Sequence, residues 1–266
     1  MRLLRIGILL AALVGIIWFT PGITRPLDHA WVSVADRFDK RPARTLLFIG
    51  NSRTFYHDMP FMLRKMADSA GSPERYAITV KAWSGASLEE NWADADVQRL
   101  LTQPWSNVII QAESRAQYDP ALRPAFFTYG KKLVAAAQQT RSDPLVIVNW
   151  VYGDTMFAGF PSYLRSGYYR AIQSDYHTLE DATGARLVNT GQAWEMLLSK
   201  HPAFALYEDG NHPTIHGSYF SALMLYTALT GNDVGEVAYI PQGIAPEEAA
   251  LIKSVVREYR TTVSAL

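Results

Sequence analysis

The run Thr45-Leu46-Leu47-Phe48-Ile49-Gly50-Asn51-Ser52-Arg53-Thr54-Phe55 changes from apolar to small and polar within one residue. Four consecutive apolar residues, Leu46 to Ile49, suit a strand buried on both faces of a parallel sheet. Gly50 then permits a tight exit that a Cβ would resist. Beyond it, Pro60 and the helical spacing of Phe61, Met62, Leu63, Met66, Ala67 and Ala70 predict strand, short loop and helix in succession. Ser52 therefore falls at the carboxyl end of a strand, where open α/β sheets hold their ligands. It is the candidate nucleophile, although Gly-Asn-Ser alone also fits an ordinary turn.

The sequence of 266 residues is 48% hydrophobic and has length for one well-packed α/β domain. Its 25 basic and 25 acidic residues cancel, with no long block of like charge, so no nucleic-acid partner is expected. There is no cysteine, which excludes disulfides, thiolate metal sites and a thiol nucleophile. At the N-terminus, Arg2 and Arg5 precede an unbroken apolar run from Ile6 to Phe19. Such a run reads as an export signal, and its helix would reach about 21 Å against a hydrocarbon core of about 30 Å. Leu3 and Leu4 lengthen it and no Ala-x-Ala site follows, so residues 1–22 are expected to be either a signal peptide or a membrane anchor acting through residues 3–19. Residues 23–43 read as a polar connector, and 44–266 as the folded domain. The expected location is periplasmic, extracellular or anchored to the membrane.

Further strands are expected at Tyr76–Ala82, Asn107–Gln111, Leu145–Trp150 and Arg186–Asn189. Helical patterns intervene: one through Glu90, Trp92 and Val97, then Phe126–Gln139 and Tyr163–Thr183. Strands alternating with helices imply βαβ units and a mainly parallel, five-stranded sheet. A last amphipathic helix is expected from Glu247 to Thr262, opened by Pro246.

The second chemical signal is Glu208-Asp209-Gly210-Asn211-His212-Pro213-Thr214, ahead of a helix starting near His216. A serine hydroxyl needs a base within reach whose free ring nitrogen is presented in the right tautomer. An Asp three residues before a His can hold Nδ1–H and leave Nε2 for Ser52, so Asp209 and His212 fit as orienter and base. Taken alone, the same residues also fit a cap and a loop histidine.

Gly50-Asn51-Ser52, the turn at Gly85, and Asp209-His212-Pro213 together resemble the SGNH (GDSL-like) hydrolases, in the branch whose first block reads Gly-Asn-Ser. The resemblance runs from about residue 44 to 230. It implies a flavodoxin-like three-layer α/β/α sandwich and a Ser–His–Asp site that needs no cofactor. It also implies oxyanion donors at the Ser52 and Gly85 N–H groups and a third-block Asn amide. Here the third block, usually Gly-x-Asn-Asp, is Gln111-Ala112-Glu113-Ser114, and Gln111 stands as the replacement donor, with the alternative that it merely caps the strand and the site runs on two donors. Glu113 is read as an orienter of Arg53, Arg115 or a substrate hydroxyl, with no catalytic step.

The expected function is that of an exported serine esterase acting on a small-molecule or carbohydrate ester, with acetyl the favoured acyl group. The alternatives are an envelope O-acyltransferase using the same site and an inactive glycan-binding protein on the same fold. His212 and His216 are four apart, but Pro213 interrupts any helix between them and no zincin-type Glu follows, so no metal site is expected. His57 is expected near a helix start, with a place lining the cleft as the alternative. The aromatic loop Asn149 to Tyr169 offers Trp150 and Tyr152 as substrate-binding candidates, with core packing as the alternative.

Overall fold

The computed structural model describes residues 36–264. The segment 1–22 and most of the 23–43 connector lie outside them. The described residues 36–42, in which Arg41 is hydrogen-bonded to Asp39, belong to one unit of the chain, and a second unit begins at Ala43. Among the described residues no helix is long and apolar enough to cross a membrane.

Five strands form the sheet: β1 (Ala43–Gly50), β2 (Arg75–Ala82), β3 (Asn107–Ile110), β4 (Asp143–Ile147) and β5 (Arg186–Val188). Their order is β2-β1-β3-β4-β5 and every pairing is parallel, which is the flavodoxin-like doubly wound arrangement. Side chains alternate between the two faces. Leu46 and Phe48 of β1 join one core with Ile109, Leu145 and Ile147, whereas Leu47 and Ile49 join the other with Val108, Ile110 and Val146. Because both faces are covered, β1 needs apolar residues at successive positions.

The first face carries α1 (Ser52–Phe55), α2 (Met59–Ser69), α7 (Thr190–Lys200), α8 (Ile215–Thr230) and α9 (Pro246–Ser264). The second carries α3 (Leu88–Ala93), α4 (Ala95–Leu101), α5 (Arg123–Gln139) and α6 (Ser162–Thr183). The single helix expected through Glu90 and Val97 is two, because Asp94 ends one and caps the next by accepting the Val97 N–H at 2.9 Å. α8 is apolar on nearly every side, and Tyr219 to Tyr226 are all buried, which suits a helix enclosed between α2, α9 and the sheet.

β4 ends at Ile147, three residues before the expected Trp150. From there Val148 to Trp150 run over the start of α7, and the Val148 N–H bonds the Val188 carbonyl at 2.9 Å. That crossing requires Gly191, since a Cβ there would lie 2.1 Å from the Asn149 carbonyl oxygen. Gly191→Ala is expected to destabilise the domain by about 1–3 kcal/mol through forced backbone displacement. A lowered urea midpoint with unchanged slope would show it.

Candidate active site

Ser52 opens α1 directly after β1, in a turn fixed by Asn51. The Asn51 side chain accepts the Arg53 N–H at 3.1 Å and donates to the Gln111 carbonyl at 3.2 Å, joining the exits of β1 and β3. The Asn51 backbone N–H in turn faces Thr54 Oγ1 at 3.4 Å, closing a capping box. Being first in its helix, the Ser52 N–H has no intrahelical acceptor and is free to serve a ligand.

The histidine arrives from the loop before α8. Ser52 Oγ lies 3.0 Å from His212 Nε2, and His212 Nδ1 lies 2.7 Å from Asp209 Oδ2. Asp209 Oδ1 accepts the backbone N–H groups of Asn211 at 2.9 Å and His212 at 2.7 Å. Partial burial works to raise the Asp209 carboxyl, but the His212 ring and these backbone donors outweigh it and hold it down to about 2. An ionised Asp209 must accept from Nδ1–H, which leaves Nε2 as the acceptor for the Ser52 hydroxyl. This is the geometry of a serine activated by general base.

Two further residues hold the imidazole. Tyr56 stacks on it, with ring centroids 4.4 Å apart and planes 10° from parallel. Arg53, buried beneath the site, donates from Nε and Nη2 to Asn211 Oδ1 at 3.0 and 2.8 Å, and from Nη1 to the Trp150 carbonyl at 2.9 Å. Burial lowers its pKa from the ordinary guanidinium value. The aromatic faces of Trp150 and Tyr152 lie 4.6 and 5.4 Å from the guanidinium carbon. Neither Tyr56 nor Asn211 stands out in the sequence. The available signal is position: one lies four residues past Ser52 and the other directly before His212.

Above the triad is a cleft of about 210 Å³ walled by Asn51, Ser52, Gly85, Glu113, Tyr152 and His212, with Ser84, Ser114, Arg115 and Asn211 completing it. Gly85 has φ of +73°, a left-handed conformation that a side chain would strain. Gln111 is not in the wall. Its Oε1 accepts from Thr54 Oγ1 at 2.8 Å and its Nε2 donates to Asn149 Oδ1 at 3.2 Å, so the amide expected as an oxyanion donor is spent inside the fold. Two positions further along, Glu113 faces the cleft.

The two aromatic candidates divide. Tyr152 lines the cleft, stacked on Tyr118 at 4.3 Å with its hydroxyl donating to Ser114 Oγ at 2.9 Å. Trp150 is 1% exposed, stacked on Trp194 at 4.3 Å, and its Nε1 donates to the Asn211 carbonyl at 3.0 Å. It supports the histidine loop from beneath and does not reach a substrate. His57 lies outside the wall, 3.4 Å from Glu208, and His216 pairs with Glu248 at 3.0 Å. Among the described residues no group of three metal-ligating side chains is gathered.

No family model matches the sequence, and no curated protein does. Solved structures do resemble it. A candidate SGNH hydrolase from Slackia heliotrinireducens is 24% identical, with a TM-score of 0.56 over 69% of this chain and 97% of its own. A DUF4886 family protein from Bacteroides uniformis is 16% identical, with a TM-score of 0.64 over 82% and 95%. An acetyl xylan esterase is 12% identical, with a TM-score of 0.59 over 69% and 98%. The fold is that of the SGNH hydrolases.

Removing the Tyr56 ring should loosen the imidazole without touching the triad. Tyr56→Ala is expected to slow phosphonylation of Ser52 by up to about 10²-fold, the scale of a misplaced catalytic group, while Tyr56→Phe keeps the stack and the rate. Asp209→Asn should slow it by about 10⁴-fold through the wrong tautomer. Rates of labelling by a fluorophosphonate probe measure both.

Proposed function

We propose, from the SGNH-hydrolase fold and the Ser–His–Asp relay it carries, that this chain is an exported serine esterase acting on short acyl esters. The observation that supports it most is the continuous pair of hydrogen bonds, 3.0 Å from Ser52 Oγ to His212 Nε2 and 2.7 Å from His212 Nδ1 to Asp209. Ser52 attacks the ester carbonyl and His212 takes its proton. The negative charge that develops on the carbonyl oxygen is met by the Ser52 and Gly85 N–H groups. His212 then protonates the leaving alcohol, and the acyl group stays on Ser52. Water, activated by His212, attacks this acyl-enzyme, and the carboxylic acid leaves with the serine restored.

The size of the cleft supports a short acyl group. At about 210 Å³ it falls below the ~300 Å³ at which pockets for drug-sized ligands begin. Beyond the Asp209 limb lies a groove of about 500 Å³ bounded by Asp154, Arg165, Tyr207 and Glu208. Its mixed walls, with charged Asp154, Arg165 and Glu208 beside apolar Leu198, Pro202 and Phe204, suit the alcohol side of a sugar ester, in keeping with the acetylated carbohydrate that the family resemblance and the export-type segment favour. Export rests on the apolar run from Ile6 to Phe19.

The test is covalent labelling of the full chain in detergent by a fluorophosphonate, followed by turnover of acetyl esters of an aryl alcohol and of xylan. Wild type is expected to label at Ser52 and to release acetate. Ser52→Ala and His212→Ala should each lose labelling, with turnover falling on the order of 10⁶-fold. Acetate transferred to an added sugar faster than to water would move the assignment to an O-acyltransferase. A folded wild type that neither labels nor turns over, yet binds glycan, would replace the enzyme with a binding protein.

A further inference from the structure

We propose that Glu113 acts in its neutral, protonated form as a hydrogen-bond donor to the oxyanion formed on the carbonyl that Ser52 attacks. The inference rests on the esterase reading above and assigns a catalytic residue within it. Four observations lead to it. Glu113 shares the cleft wall with Ser52, Gly85 and His212, yet is only 4% exposed. Gln111 is committed to Thr54 and Asn149 in the interior, so the third block presents a carboxyl to the cleft where an amide was expected. Leu88 N–H, at the start of α3, reaches Glu113 Oε2 at 3.4 Å, which fixes one carboxyl oxygen toward the helix. The carboxyl also accepts from the Glu113 backbone N–H, and when protonated it carries an O–H donor beside these acceptor contacts.

Charge decides the protonation state. An ionised carboxylate in this wall would face the developing oxyanion as a like charge in a partly dehydrated site and oppose the reaction. A protonated carboxyl would instead place an O–H in the same wall as the Ser52 and Gly85 N–H groups. The surroundings favour the neutral form. Burial pushes the Glu113 carboxyl up, against the pull of its own N–H, of Leu88 N–H and of Arg115, with Glu90 adding to the rise. The groups that face it are Glu90 on α3, Arg115 on its own loop, Tyr176 on α6 and His212 across the cleft. Arg115 is exposed to water and screened, so its attraction is the weaker influence. No proton is transferred from Glu113 during the cycle. It lends a hydrogen bond as the tetrahedral intermediate forms and keeps its proton when that intermediate collapses.

The sign of the pH dependence follows. His212 must be unprotonated to accept the Ser52 proton, whereas Glu113 must be protonated to donate, so activity is lost as the pH rises through the Glu113 pKa. Glu113→Gln substitutes an N–H donor of the same reach that does not titrate. With an acetyl aryl ester, wild-type kcat/KM is expected to decline on the alkaline side. In Glu113→Gln that decline should vanish, with the low-pH rate kept within a few-fold, while Glu113→Ala falls about 10²-fold across the range.

A Glu113→Gln variant that drops with Glu113→Ala, or keeps the alkaline decline, overturns the proposal. A measurement on the wild type stands independent of how the variants fold. In the phosphonate adduct near neutral pH, the carboxyl resonance of isotope-labelled Glu113 should be that of the acid, and a carboxylate signal overturns the inference. Fluorophosphonate labelling on the same preparations separates the two levels. No labelling of folded wild type removes the esterase and Glu113's role together, whereas normal labelling with an ionised Glu113 removes only the latter.

Discussion

A buried guanidinium holds the site together. Arg53 follows Ser52 in sequence, and its hydrogen-bond acceptors are neutral: Asn211 Oδ1 and the Trp150 carbonyl. Burying a cation among neutral groups is costly, and here backbone and amide oxygens together with the Trp150 and Tyr152 ring faces offset the cost. The consequence is geometric. One rigid fork ties the turn after β1 to the exit of β4 and to the residue beside His212. Because guanidinium is planar, it constrains angle as well as distance, which a lysine at this position would not do. Trp150, packed on Trp194 and bonded to the Asn211 carbonyl, carries the same constraint into the core.

Much of this was legible in the sequence because it depended on local chemistry. The apolar run Leu46 to Ile49 marked a doubly covered strand, and Gly50-Asn51-Ser52 marked its exit. Asp209 and His212 could be paired because their spacing suits an Asx-type turn in which one carboxylate serves both ring and backbone. What escaped depended on where a strand stops. The third strand was extended to Gln111 and that side chain was aimed at the substrate. Ladder pairing ends at Ile110, and the chain beyond it turns Gln111 toward Thr54 and Asn149 and brings Glu113 to the cleft. Trp150 and Tyr152 were indistinguishable by type, and their separation into support and wall follows from the crossing over Gly191. The helix Thr190–Lys200 is not read from the sequence although Asn189 is a preferred cap residue, because Gly191 in its first turn, kept for the crossing with Asn149, weakens the helical pattern.

The triad is polarised between water and core. Ser52 is 7% exposed and Arg53 2%, whereas the Asp209 side chain is 53% exposed. An exposed aspartate is easily ionised but weakly directional, and the turn supplies the missing direction by committing one oxygen to two backbone N–H groups. The histidine is thus fixed from three sides, by that carboxylate, by the Tyr56 face and by the loop clamp on Asn211. Next to it, His57 and Asp58 both adopt positive φ, a conformation that costs non-glycine residues energy and persists only where the surroundings enforce it.

Ser52 and His212 are 160 residues apart in the chain. A contact of that span closes only after the intervening strands and helices have packed, since long loops must be ordered before such a pair can meet. Ser52 is made early in synthesis and stays without its hydrogen-bond partner until the loop ahead of α8 docks. The Ser52–His212–Asp209 relay is therefore among the last features the fold completes. It is withheld through synthesis and arises only where the whole domain completes its fold.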